Sequence, residues 1–149
     1  MIVISNSSPI IALARIQHIN LLKHLFEKVY IPYIVYEEVL PTGKYRLQDQ
    51  IIRQAMADFI EVCTPKTDYP FTRKLEEGER GVLNLALDLH PDILIIDDRK
   101  ARNEAQELGL SAILTLTVDI LKQAEERQLI PAYLEIVEEL KQKNIFLPL

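Results

Sequence analysis

The sequence predicts an α/β domain built on a mostly parallel sheet with helices on both faces. Three observations carry that expectation. Short aliphatic runs alternate with stretches of helical periodicity, the pattern of successive βαβ units. The run Ile93-Leu94-Ile95-Ile96 is apolar at every position, as a central parallel strand covered on both faces requires. The chain has 149 residues, 48% of them hydrophobic, enough for one core and short for two. A single domain over 1–149 is therefore expected.

The elements follow in order. Ile2-Val3-Ile4-Ser5 reads as the first strand, a short buried run. In Asn6-Ser7-Ser8-Pro9, Ser or Asn offers an N-cap and Pro suits a first helical turn, so a helix is expected over 9–15. Leu21, Leu22, Leu25 and Phe26 recur at helical spacing over 20–26. Val29-Tyr30-Ile31 reads as the second strand. Pro32 opens a third helix with Ile34, Val35 and Val39 inward and Glu37 and Glu38 near its middle. Pro41-Thr42-Gly43 is a break. The helix expected over 47–59 is amphipathic through Leu47, Ile51, Ile52, Ala55 and Phe59. Ile60-Glu61-Val62-Cys63 alternates like a half-exposed strand, and 64–70 is polar and proline-flanked, a loop. Residues 76–90 carry a broad apolar face from Val82 to Leu89. Asp97-Asp98 ends the strand at 93–96 and caps a helix over 99–108, with Gly109 as its stop. A strand over 111–116, a helix capped by Thr117 and running to 128, and a last helix over 131–143 complete the chain.

Composition excludes several classes. The formal charge is −5, so the chain is poorly suited to coating long nucleic acid through counterion release, though it can still grip a few phosphates. No apolar run is long enough to span a membrane, and no basic region precedes Ile2, so neither a membrane anchor nor a signal peptide is expected. Cys63 is the lone cysteine and suits a reducing, cytoplasmic setting. His18, His24 and His90 show no metal spacing. There is no G-x-S-x-G for a serine hydrolase, and four glycines make no phosphate loop. Ile-Leu-Ile-Ile-Asp-Asp superficially resembles a phospho-receiver run, but that family places its acid pair after the first strand.

In parallel α/β sheets ligands bind beyond the carboxyl ends of the strands. That rule selects Asn6, Asp97, Asp98, Thr115 and Thr117. A helix cap alone explains Asp98. Asp97 then stands as a metal ligand, since Mg²⁺ and Mn²⁺ take hard oxygens and only a few carboxylates. Glu38 and Glu79 are the supporting acids, although singly each reads as a solvated surface glutamate. Glu37, Glu76 and Glu77 read as surface charge. Asn6 is either a turn or cap residue or a neutral oxygen ligand. Arg99, Lys100 and Arg102 can touch substrate phosphates, or be a solvated helix face.

Four motifs stand in a fixed order. Residues 2–14, Ile-Val-Ile-Ser-Asn-Ser-Ser-Pro-Ile-Ile-Ala-Leu-Ala, resemble the opening of PIN-domain proteins, nearest to the branch of the VapC toxin ribonucleases. Ile31-Pro32 followed by Val35-Tyr36-Glu37-Glu38-Val39 is similar to their second motif. Gly78-Glu79 running into Asn84-Leu85-Ala86-Leu87 is similar to the third, and residues 94–102 to the fourth. The resemblance implies a three-layer α/β/α fold and an endoribonuclease acting on single-stranded RNA with Mg²⁺ or Mn²⁺. It carries the family's acids onto Glu38, Glu79 and Asp97, with Asp98 beside the last, and a site-orienting hydroxyl onto Ser8. Asn6 stands where the first motif usually has Asp, and a neutral ligand weakens metal affinity. Residues 114–117 stand where glycines are expected, with Asp119 a possible late acid. The resemblance also implies a homodimer, for which Tyr133, Ile136, Val137 and Leu140 offer an apolar stripe, part of which must serve the core, and an antitoxin protein covering the acidic groove. The alternative is a catalytically silent PIN-like module that binds RNA or a protein, which Asn6 favours. A third reading is a non-nuclease α/β protein whose acids are ordinary helix caps.

Overall fold

Five short strands, β1 (Val3–Ser5), β2 (Val29–Pro32), β3 (Ile60–Cys63), β4 (Ile93–Ile95) and β5 (Ile113–Thr115), form one sheet in the order β3-β2-β1-β4-β5. The structure, a computed structural model, describes residues 1–40 and 45–149. The break expected at 41–43 lies outside the described residues. Every pairing is parallel, with Ile4 opposite both Tyr30 and Leu94, and Ile93 opposite Ile113. The expected parallel sheet with the first strand central is thus present, and 60–63 joins it through Val29↔Ile60. Val3, Ile4, Leu94 and Ile95 are fully buried, and β-branched side chains fill such a pleated, two-sided interior well.

The helices are α1 (Ser7–Arg15), α2 (Asn20–Phe26), α3 (Tyr33–Val39), α4 (Arg46–Asp58), α5 (Glu77–Leu89), α6 (Arg99–Glu107), α7 (Thr117–Glu126) and α8 (Tyr133–Gln142). They flank the sheet in a three-layer α/β/α arrangement. Helix α5 packs on β1 and β2 and beside α6, while α7 packs on α2 and α8. From β1 the chain steps through β2 to β3 on one side, then crosses to β4 and β5 on the other. The order therefore reverses between β1 and β4. At such a switch point the flanking loops diverge and open a crevice at the carboxyl ends of the two strands. Asn6 follows β1 and Asp97 lies two residues past β4.

Several details depart from the sequence reading. Helix α1 begins at Ser7, not Pro9, and Asn6 occupies the N-cap position without making a side-chain cap bond. Leu47 is exposed, because the buried stripe of α4 runs one residue later, through Gln48, Ile52 and Ala55. Glu38 sits in the last turn of α3 instead of its middle. Thr117 is the first residue of α7 and not its cap, because its hydroxyl is engaged elsewhere. Ile136, Val137 and Leu140 are buried in the core, so this stripe leaves only half-buried Tyr133 for a partner. Gly109 does end α6 region as expected, at φ 73°, and nothing lies where its Cβ would be.

Candidate metal and phosphate site

Asn6 is held at the switch point by its own backbone, which donates to the Ile95 carbonyl at 3.0 Å and extends the β1–β4 ladder by one bond. The residue is only 7% exposed. Its side-chain Oδ1 is buried and has no hydrogen-bond partner among the described residues. A buried carbonyl oxygen without any partner costs about 1–3 kcal/mol, so this acceptor suits a cation, a water or another donor.

Asp97 is fixed by the first residue of α7, just beyond the neighbouring strand β5. The Thr117 backbone N–H donates to Oδ1 at 2.8 Å, and the Thr117 hydroxyl donates to Oδ2 at 2.7 Å. Burial raises the Asp97 pKa, and the two Thr117 bonds and the Arg102 charge act against that rise. Asp119 adds a further negative charge nearby. Its own Oδ2 accepts the Leu116 N–H at 2.9 Å at the start of α7, so it serves that turn. Asp98 accepts the Ala101 N–H at 3.0 Å and caps α6, as its place before that helix led one to expect.

Glu79 and Glu38 come from the opposite side. Glu79 is 9% exposed in the first turn of α5, and its Oε1 accepts the Glu76 N–H at 2.9 Å. Burial, and then the Asp98 carboxyl within hydrogen-bonding reach, push the Glu79 pKa to about 7. Two carboxylates in contact cannot both ionise freely, so the Glu79–Asp98 pair holds a proton near neutral pH. Glu38 accepts from the Ser7 hydroxyl at 3.2 Å. Its pKa is raised, chiefly by burial, with Ser7 opposing. The Glu38 carboxylate lies flush against Gly78, where a Cβ would collide with it.

The acids are thus met as pairs and with neutral partners. Among the described residues no three of His, Cys, Asp or Glu are gathered into a metal-holding group. A closed carboxylate cage of Glu38, Glu79 and Asp97 is not what the chain builds. The donor set still fits an open divalent site: hard oxygens, one orphaned amide oxygen and a like-charged pair that retains a proton. Mg²⁺ commonly takes one or two carboxylates and completes its shell with water and phosphate.

A groove of about 570 Å³ lies beside these residues, lined by Ser8, Asp97, Asp98 and Arg99 and by 145–148. Ser8 lines the groove, whereas the hydroxyl that touches an acid is that of Ser7. Arg99 and Lys100 are exposed. Arg102 instead donates to the Ile96 carbonyl at 3.0 Å, which makes it a brace of the β4 exit. Sequence reasoning missed Ser7, the hold of Thr117 on Asp97 and the residues 145–148. The first two depend on which elements become neighbours, and no sequence signal marks the third.

The family model described as DUF3368: PIN domain matches residues 2–148. Among solved structures, a PilT N-terminus domain protein, SSO1118, from the hyperthermophilic archaeon Sulfolobus solfataricus P2 is similar. It is 21% identical, with a TM-score of 0.61 over 83% of this chain and 93% of that one, a likeness of fold. The search of curated proteins gives no match.

Proposed function

This chain belongs to the PIN-domain family, a family of nuclease fold, and from that premise we propose that it is a divalent-metal-dependent endoribonuclease acting on single-stranded RNA. One observation carries the reading. The unpartnered Oδ1 of Asn6 is buried at the carboxyl edge between β1 and β4, at the strand ends from which Asp97 and Asp98 also project. Asn6, Asp97 and the Glu79–Asp98 pair would hold Mg²⁺ or Mn²⁺, with Glu38 at the rim. A bound divalent cation supplies Lewis-acid polarisation of a phosphoryl oxygen and a water of lowered pKa. The chain's own groups do the rest. Thr117 fixes both oxygens of Asp97. Arg99 meets a phosphate in the groove, with Lys100 adding charge on the same turn. The Glu79–Asp98 pair takes up or gives back one proton close to neutral pH.

The toxin of a toxin–antitoxin pair is the setting proposed, cytoplasmic, with an antitoxin segment over the groove and a homodimer as the resting form. Among the described residues no helix is long and apolar enough to cross a membrane. Cleavage of a labelled single-stranded RNA with Mg²⁺ or Mn²⁺, and its loss in EDTA and in Asp97→Asn, is the test. Equal cutting by Asp97→Asn removes this site from the reaction.

The second reading, a silent module binding RNA or protein, is favoured by neutral Asn6 and by the lack of a three-acid group among the described residues. Asn6→Asp separates the two. In a working nuclease it strengthens metal binding and raises cleavage, and without metal it destabilises the fold by adding charge in a buried place. Tighter metal binding with cleavage still absent selects the silent module.

A further inference from the structure

The groove has two unlike walls. One carries Ser8, Asp97, Asp98 and Arg99, and the other is Ile145, Phe146, Leu147 and Pro148. The second wall is held in place. Asn144 turns the chain in the left-handed region at φ 63°, and the Ile145 N–H returns to the Leu140 carbonyl at 2.9 Å. Ile145 and Leu147 then pack on the core, and the intervening Phe146 is 70% exposed. Packing of both neighbours restricts how far the backbone at Phe146 can shift. An exposed aromatic residue thus lines the groove on a tethered stretch of backbone.

A single exposed phenylalanine is unremarkable on most surfaces. Here it lines the same groove as residues of the proposed cleavage site and Arg99. A nucleotide has the same asymmetry: a charged phosphodiester at one end and a flat, weakly polar ring at the other. The volume is within the roughly 300–1,000 Å³ of sites that hold small ligands. Unpaired bases bind proteins chiefly by stacking on aromatic side chains, whereas bases in a duplex offer no free face.

We propose that residues 145–148 form the base-binding wall of the substrate groove, with Phe146 the platform on which a nucleobase of single-stranded RNA stacks. The proposal rests on the ribonuclease reading and adds a reason for the preference for unpaired strands. Phe146 acts as a positioning residue: it sets where the strand lies relative to Asp97.

The chain has no tryptophan, so Phe146→Trp introduces a single fluorophore at the platform. The test titrates this variant with a short single-stranded oligoribonucleotide in Mg²⁺, and with an abasic strand of the same length. Anisotropy of an end-labelled strand reports binding in parallel. The expected result is saturable quenching of the tryptophan by the base-bearing strand only. Phe146→Ala should weaken binding about tenfold or more, and the loss should fall on KM more than kcat. Phe146→Trp should retain binding, and Phe146→Leu should not restore it. If the strand binds without changing tryptophan emission, stacking is refuted and the ribonuclease reading stands. Equal affinity for the abasic strand has the same meaning. If the unaltered chain neither binds nor cuts single-stranded RNA, the ribonuclease reading falls and the platform with it.

Discussion

Burial pushes the Glu79 carboxyl up to about 7, and that shift has a thermodynamic signature. Its folded pKa of about 7 exceeds the ordinary 4.5, so the native chain holds the proton more tightly than the unfolded one. The stability this contributes is full below about pH 4.5 and is lost as pH rises through 7. Urea unfolding should therefore show stability falling across that window. Glu79→Gln keeps an oxygen for the Glu76 N–H and should flatten the slope. At pH 8 it should be the more stable protein, by on the order of 1 kcal/mol after solvent screening. Thr117→Val tests the other acid. It keeps the shape and the backbone N–H but removes the hydroxyl from Asp97 in a fully buried position. A loss of about 2 kcal/mol in urea unfolding is expected for a hydrogen bond to a charged group. The acids themselves were legible from residue type and from their place after apolar runs. Their partners were not, because Thr117 reaches Asp97 only once β5 lies beside β4.

Elements place these side chains by close contact more than by bonding. Helices α3 and α5 meet where Gly78 faces Glu38, and where a Cβ on Gly81 would strike Ile34 and Pro32. Gly78→Ala isolates that effect. Alanine favours the helix by up to about 1 kcal/mol, and the obstructing atoms are the far end of a flexible glutamate. Calorimetry should show an unchanged or higher Tm, while RNA cleavage should fall tenfold or more as Glu38 is displaced. A lower Tm would mean that Glu38 cannot move aside. Strand and helix order was readable because period and punctuation survive in a single sequence. Leu47 was misjudged for a physical reason. An apolar residue at helical spacing says that a helix has a face, and only the neighbouring layer decides which residues that face buries.

For the whole molecule, the net charge of −5 sharpens the case for a cation. A ligand bound only by the native state stabilises it, so Mg²⁺ or Mn²⁺ at about 100 times its Kd should add roughly 2.7 kcal/mol. Asp97→Asn should remove most of that gain. Because the Glu79–Asp98 pair holds a proton near neutrality, binding should also release up to one proton and tighten as pH rises through 7. Titration calorimetry in two buffers of different ionisation heat reads that release directly. A heat independent of buffer would place the metal away from Glu79.

The central position of β1 governs when the molecule can come together. Its Val3 pairs with Ile93, and the Ile2 N–H reaches Asp92 Oδ2 at 2.7 Å across 90 positions of sequence. During synthesis the first strand therefore emerges shortly before β2 but long before β4, and the sheet cannot close until β4 is made. Contacts so distant in sequence slow folding, since the loop must be ordered before the pairing rewards it. Asn6 and Asp97 are brought together by that same pairing. A chain that stops short of β4 therefore lacks one of the two strand ends on which the proposed site stands.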